Sequence, residues 1–256
     1  MLQLAKGLSL LCASLVFWAC ASAVPPSRIA DYVPADQPSD PSLLTSEPRL
    51  RAGLVLISDT SAPDAAPNLP DEAMMKLGEE LKQEISQVLP VTITDVIPAD
   101  GIRPLDGNRA QLADLAKKHG LDYLAVVVLS STEQEYPMSV FVGWTTHMVP
   151  GFRRDNWSLL EFALLDVKDG KVLMRADGRG WATLDRPTVP DINQWYPVVW
   201  LRPQEPARRY WPPTYEGAPN TLRVVSFNQA ARRLTTSLQH AWTDQLEEGS
   251  AARRNS

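Results

Sequence analysis

The stretch Leu121-Asp122-Tyr123-Leu124-Ala125-Val126-Val127-Val128-Leu129-Ser130-Ser131 decides the fold. From Leu124 to Leu129 it is an unbroken apolar run of strand length with three consecutive valines. Such a run reads as a strand covered on both faces, and therefore as a central strand of a sheet.

Upstream, the pattern alternates. Gly120 closes the preceding helix as a left-handed cap, and Asn108 opens it with Gln111 three residues on, as in a capping box. Leu112, Leu115 and Ala116 are its inward positions. Before it comes a turn-rich loop with Asp100-Gly101 and Asp106-Gly107, then a strand over 91–97 with Val91, Ile93 and Asp95 on one face. Pro70-Asp71-Glu72 opens an earlier helix, with proline in the first turn and the acids at the positive end of the dipole. Met74, Leu77, Leu81, Ile85 and Val88 give it one apolar face, and Pro90 ends it. Residues 50–58 form the first strand and 59–69 a loop. Strand, helix, strand, helix, strand with crossovers of this length predicts parallel neighbours.

Downstream, residues 132–156 break the pattern. Their aromatic part, 140–144, fits a further strand of the sheet, a membrane-facing insertion or an oligomer contact. Residues 157–167 and 171–183 form a hairpin about the two-residue turn Asp169-Gly170. Residues 185–219 are a loop rich in proline and tryptophan. A last helix over 221–247 turns Phe227, Ala230, Leu234, Leu238, Ala241 and Trp242 to one side. The expectation is a single α/β (α+β) domain over 49–248 with one mixed sheet, in the order β-α-β-α-β-(β)-β-β-α, and helices packed on it. Residues 249–256 are then a disordered polar tail.

The chain begins with an export signal, residues 1–19: Lys6, then an apolar stretch too short to span a bilayer, then small residues. Two cleavage sites compete. Phe17-Trp18-Ala19-Cys20 resembles a lipobox, with Cys20 as the lipidated first residue, though Phe17 and Trp18 are bulkier than that motif prefers. Ala21-Ser22-Ala23 would instead release a soluble periplasmic or secreted protein. With Cys20 acylated, Ala21 beside it in place of aspartate favours the outer membrane facing the periplasm. Residues 20–48 then form a lipid-anchored flexible tether, rich in Pro, Ser and Asp, of which 29–33 is the part able to dock.

Composition excludes several chemistries. Cys12 and Cys20 are the only cysteines among the 256 residues, so the body has no disulfide, thiolate metal site or cysteine nucleophile. A net charge of −5 and four scattered Arg-Arg doublets speak against nucleic acid. Ser58-Asp59-Thr60-Ser61 follows the first strand, where a dinucleotide or phosphate loop needs glycines. Gly-x-Ser-x-Gly is absent, and His119, His147 and His240 are far apart in the sequence. The expectation is no catalytic residue, no metal and no cofactor. The feature left over is the Trp/Pro loop, where Trp195, Trp200, Arg208, Arg209, Tyr210 and Trp211 form a candidate partner-binding surface. The competing reading turns those tryptophans inward as a lid on the sheet.

Asp31-Tyr32-Val33-Pro34, Val96-Ile97-Pro98, Ile102-Arg103-Pro104 and Gly120-Leu121-Asp122-Tyr123-Leu124-Ala125 resemble landmarks of the bacterial rhombotarget lipoproteins. Gly143-Trp144-Thr145-Thr146, Val149-Pro150-Gly151 and Leu173-Met174-Arg175-Ala176 continue the likeness, which covers about 29–180. The strand–helix order is also similar to the periplasmic domain of the Tol amino-terminal, curli secretion and penicillin-binding-protein activator proteins. The Trp/Pro loop departs from those patterns. These resemblances imply a lipid anchor and an assembly or accessory role without enzymatic activity. The expected function is a non-enzymatic envelope protein that binds another envelope component. The alternative is a subunit of an oligomeric secretion or pore complex, hence a homo-oligomer, and a distant third is a hydrolase without a recognisable motif.

Overall fold

The computed structural model describes residues 24–33, 49–99, 108–141, 148–188, 198–200, 209–214 and 216–255. Its elements are α1 (Ile29–Tyr32), β1 (Leu50–Asp59), α2 (Asp71–Val88), β2 (Val91–Pro98), α3 (Asn108–His119) and β3 (Tyr123–Phe141), followed by β4 (Met148–Asp166), β5 (Val172–Pro187), β6 (Val198–Trp200), β7 (Arg209–Tyr210) and α4 (Ala218–Asn255). The export signal with Cys12 and Cys20, and the site candidates Trp195 and Arg208, lie outside the described residues.

The strands make one mixed seven-stranded sheet in the order β2-β1-β3-β4-β5-β6-β7. β1 pairs in parallel with both β2 and β3; every later neighbour is antiparallel. The fold is α/β, with the valine run at its centre: Val126, Val127 and Val128 are fully buried. Their alternation divides the core. Ala125, Val127 and Leu129 face the layer formed by α2 and α4, with Leu77, Leu81, Ile85, Phe227, Leu234 and Leu238. Leu124, Val126 and Val128 face α1 and α3, with Ile29, Tyr32, Leu112 and Ala116.

The helix termini follow their local chemistry. Gly120 has φ 63°, Leu121 N–H bonds the Ala116 carbonyl and Gly120 N–H that of Lys117. That paired pattern is the Schellman closure. In β2, the register slips between Ala52 and Leu54 of its partner. Val91 and Ile93 are buried as expected, but beyond the slip Asp95 is exposed and Ile97 reaches the α1/α3 side.

Four readings are corrected. Residues 132–156 do not interrupt the sheet: β3 and β4 are 19 residues each and pair without a break from Tyr123↔Asp166 to Phe141↔Met148. Val140 and Phe141 are therefore strand, whereas 142–147 lie outside the described residues. The β4–β5 connection is five residues, 167–171, rather than a two-residue turn, and Asp166 N–H bonds the Lys171 carbonyl across it. Asp166 Oδ1 accepts from Lys168 N–H at 2.8 Å and Gly170 takes φ 64°, so an Asx turn and a left-handed glycine replace the expected primed turn. The stretch 185–219 contains the end of β5, all of β6 and β7, and the start of α4 at Ala218. Val198–Trp200 is too short to show a period of two. Finally, α4 runs through Gly249 to Asn255. A single glycine costs a helix interior only about 1 kcal/mol, and Glu247, Glu248, Ala251 and Ala252 around it are strong helix formers.

Two contacts position everything else. α4 lies directly on β5 at Gly178 and Gly180, where a Cβ would fall inside contact distance of the Ala230 and Ser226 carbonyl oxygens. Its side chains also occupy the backbone edge of β5: Gln229 Oε1 accepts from Trp181 N–H at 2.7 Å and Arg233 Nη1 donates to the Arg179 carbonyl at 2.9 Å. Gln245 Nε2 donates to the Leu173 carbonyl at 3.2 Å. On the opposite side, residues 24–33 strap the sheet. The Glu161 carboxylate, 5% exposed in mid-β4, accepts from Ser27 Oγ at 2.5 Å, Arg28 N–H at 2.6 Å and Ile29 N–H at 3.1 Å. Tyr32 OH donates to Asp59 Oδ2 at 3.1 Å at the far end of the strap. Residues 29–33 thus dock as their apolar character predicts, and Val24 to Ser27 dock with them.

Candidate functional site

Beyond Ser130, where β1 ends, β3, β4 and β5 extend as a polar outer arm. Both of its faces carry charges, and each charge is met by a strand neighbour. On the strap side, Arg153 Nε and Nη2 fork onto Asp185 Oδ1 and Oδ2 at 2.7 and 2.8 Å. Asp155 accepts from Thr183 Oγ1 at 2.6 Å and Tyr136 OH at 2.8 Å. Asp155, Asp185 and Thr183 are buried. Burial, reinforced by the Asp155 carboxylate, pushes the Tyr136 phenol up to about 12. Burial followed by Asp59 likewise holds the Tyr32 phenol above its ordinary range. The bonds to Asp185 outweigh burial and raise Arg153 above its ordinary value.

On the α4 side, Arg223 Nε donates to Glu133 Oε1 at 2.6 Å, and Arg154 Nη1 lies 3.6 Å from Glu133 Oε2. Arg154 also pairs with Glu135 at 2.7 Å, and Arg186 reaches Glu135 at 3.5 Å while standing 5.7 Å above the Phe152 ring. A cleft of about 180 Å³ opens between these strands and the start of α4, lined by Glu135, Phe152, Arg154, Arg186, Glu216 and Pro219 among others. Acids and arginines alternate around it, so its charge is internally balanced. The hydroxyls that meet a carboxylate in these networks, Thr183 and Tyr136, do so at the buried Asp155, and among the described residues no three His, Cys, Asp or Glu side chains gather as metal ligands.

The surface expected from the Trp/Pro loop is divided by the sheet. Trp200 belongs to β6, pairs with Thr183 and is 2% exposed, so it is a core residue rather than a recognition residue. Its neighbours Val198 and Val199 carry the β-branched signal that could have revealed this. Arg209 and Tyr210 form β7 at the sheet edge, and Trp211 follows directly. Tyr210 is 41% and Trp211 45% exposed, with the Arg209 guanidinium 5.8 Å from the Trp211 ring. Sequence reasoning missed Glu161 and the Arg153–Asp185 pair. For Glu161 a signal existed: a lone acid inside Leu159-Leu160-Glu161-Phe162-Ala163-Leu164 requires a buried partner.

No protein-family model and no curated protein matches the chain. Among solved structures it is similar to a PelC dodecamer from Paraburkholderia phytofirmans, at 14% identity over 71% of this chain and 89% of that one, with a TM-score of 0.25. It is also similar to a putative neuraminyllactose-binding hemagglutinin homolog from Helicobacter pylori, at 8% identity over 80% and 92%, TM-score 0.37. A third is the hypothetical protein CT253 from Chlamydia trachomatis, at 9% identity over 76% and 98%, TM-score 0.34. Similarity at this level assigns no function. Among the described residues, no helix is long and apolar enough to cross a membrane.

Proposed function

We propose that this protein is a non-enzymatic component of the bacterial envelope, anchored through a lipid on Cys20 to the outer membrane, that binds another envelope protein by its β7 edge. The observation that carries the binding reading is the Arg209-Tyr210-Trp211 group: two large aromatics more than two-fifths exposed, one beneath a guanidinium, on and directly after an edge strand. Aromatic and arginine side chains supply most of the energy at protein interfaces. The anchor reading is supported by the lipobox-like Phe17-Trp18-Ala19-Cys20 and by the resemblance to rhombotarget lipoproteins.

The test is cross-linking in the native envelope followed by recovery of wild type, Tyr210→Ala and Trp211→Ala. Because both side chains are well exposed, truncation leaves the melting temperature nearly unchanged while partner recovery falls. Equal recovery from the variants and wild type would remove the β7 edge as the contact.

A further inference from the structure

We infer that the strap fixes which side of the domain faces the membrane: the side carrying α1, α3 and Glu161 lies against the lipid surface. The inference rests on the anchor reading above, and it turns on length. Cys20 lies four residues before Val24, the first described residue of the docked segment. Four residues span at most about 14 Å even when fully extended. The 19 residues of β3 run about 60 Å and the 38 residues of α4 about 57 Å. The leash is therefore shorter than the body it holds, and only the strap-bearing side can reach the headgroups.

The alternative geometry is quite different. Were the strap undocked, the leash would run from Cys20 to Leu50, a flexible chain of 30 residues. Such a chain averages about 30 Å end to end and extends much further, enough for the domain to present any side. What separates the two regimes is the set of bonds on Glu161 and Asp59 together with the burial of Pro25, Ile29, Tyr32 and Val33. Orientation follows for the rest of the molecule. α2 and α4, on the opposite layer, point away from the membrane, and the β7 edge, at the end of the sheet opposite β2, is presented sideways.

The cysteine-free body allows a direct measurement. Arg179→Cys places a label on the strap side, since Asp177 pairs with Glu161 and Arg179 is the next residue on that face. Arg232→Cys places one on the exposed side of α4. The full-length acylated protein, each variant labelled with a fluorophore, is reconstituted into phosphatidylethanolamine–phosphatidylglycerol vesicles carrying a nitroxide on the headgroup. The inference expects quenching at 179 well above that at 232. Inserting ten Gly/Ser residues between Ala23 and Val24 leaves the strap docked but lengthens the leash, and the difference is then lost. Intact mass of the membrane-extracted chain separates the two levels of failure. A mature chain that starts at Val24 without acyl groups overturns the anchor and this inference together. Acylated Cys20 with equal quenching at both sites overturns the inference alone. So does a difference that survives the insertion, because some attraction other than the leash would then hold the face.

Discussion

Replacing Gly180 by alanine puts a methyl group where the Ser226 carbonyl oxygen of α4 already lies, and Gly178→Ala does the same against the Ala230 carbonyl and the Leu234 backbone. The obstacle is helix backbone, which cannot rotate away as a side chain would, so α4 must lift from β5. Lifting also strains Gln229 and Arg233 on the β5 edge and loosens Leu234 and Phe227 in the core. Overpacking of this kind costs about 1–3 kcal/mol for each substitution. In a domain of this size each kcal/mol lowers the melting temperature by about 2–4 °C. Both substitutions displace the same helix, so the double variant loses less than the sum. The same exchange has the opposite sign at Gly249: nothing lies within 4 Å of an added Cβ there, and the residue is helical. Gly249→Ala should gain about 0.5–1 kcal/mol from helix propensity. Urea denaturation of wild type and the three single variants reads both signs in one experiment. A Gly180→Ala protein at least as stable as wild type would refute the close approach of α4 to β5.

Three further outcomes are expected. The Tyr136 phenol is raised from 10 to about 12, so its neutral form is the one the fold favours. Its contribution is complete below pH 10 and lost as pH climbs through 12, and Tyr136→Phe should lose less stability than wild type between pH 9 and 11.5 in chemical denaturation. Arg223 is 6% exposed and donates to Glu133, which keeps Arg154 at 3.6 Å and Asn156 Nδ2 at 3.3 Å when Arg223 is removed. Arg223→Ala should therefore cost about 1–3 kcal/mol in urea denaturation, the range for a lost hydrogen bond to a charged group, and Arg223→Ala combined with Arg154→Ala should cost more than the sum of the two single variants. Val127→Asp puts an unpaired charge at a fully buried centre, and circular dichroism should show no cooperative melt.

The inner half of the fold was legible because hydropathy writes it. α2 and α4 repeat their apolar residues at helical spacing, and the valine run needs cover on both faces. The outer arm was not legible, since its sides are held by ion pairs. Glu133, Glu135, Tyr136 and Pro137 along β3 show no alternation of apolar and polar residues, yet each is a ladder residue opposite β4. Cross-strand partners such as Arg154 and Asp185 are 19 and 32 residues away from Glu135 and Arg153 in the chain, and nothing local announces them. The β7 edge was half legible: aromatics and arginines marked the region, but only pairing with β5 separates buried Trp200 from exposed Trp211.

The cover that α4 gives to β5 has a consequence for synthesis. Residues 218–255 follow every described strand, so a chain emerging amino-terminus first presents its strands before the helix that closes the sheet. Until then Leu160, Phe162 and Leu164 lack their Phe227, Leu234 and Leu238 neighbours, and the β5 edge at Leu173, Arg179 and Trp181 has unmet backbone groups. An open edge beside an apolar face is a template for sheet-to-sheet aggregation. Chains stopped short of residue 218 should therefore precipitate or be degraded rather than accumulate as stable fragments, which makes the helix a checkpoint on full-length synthesis.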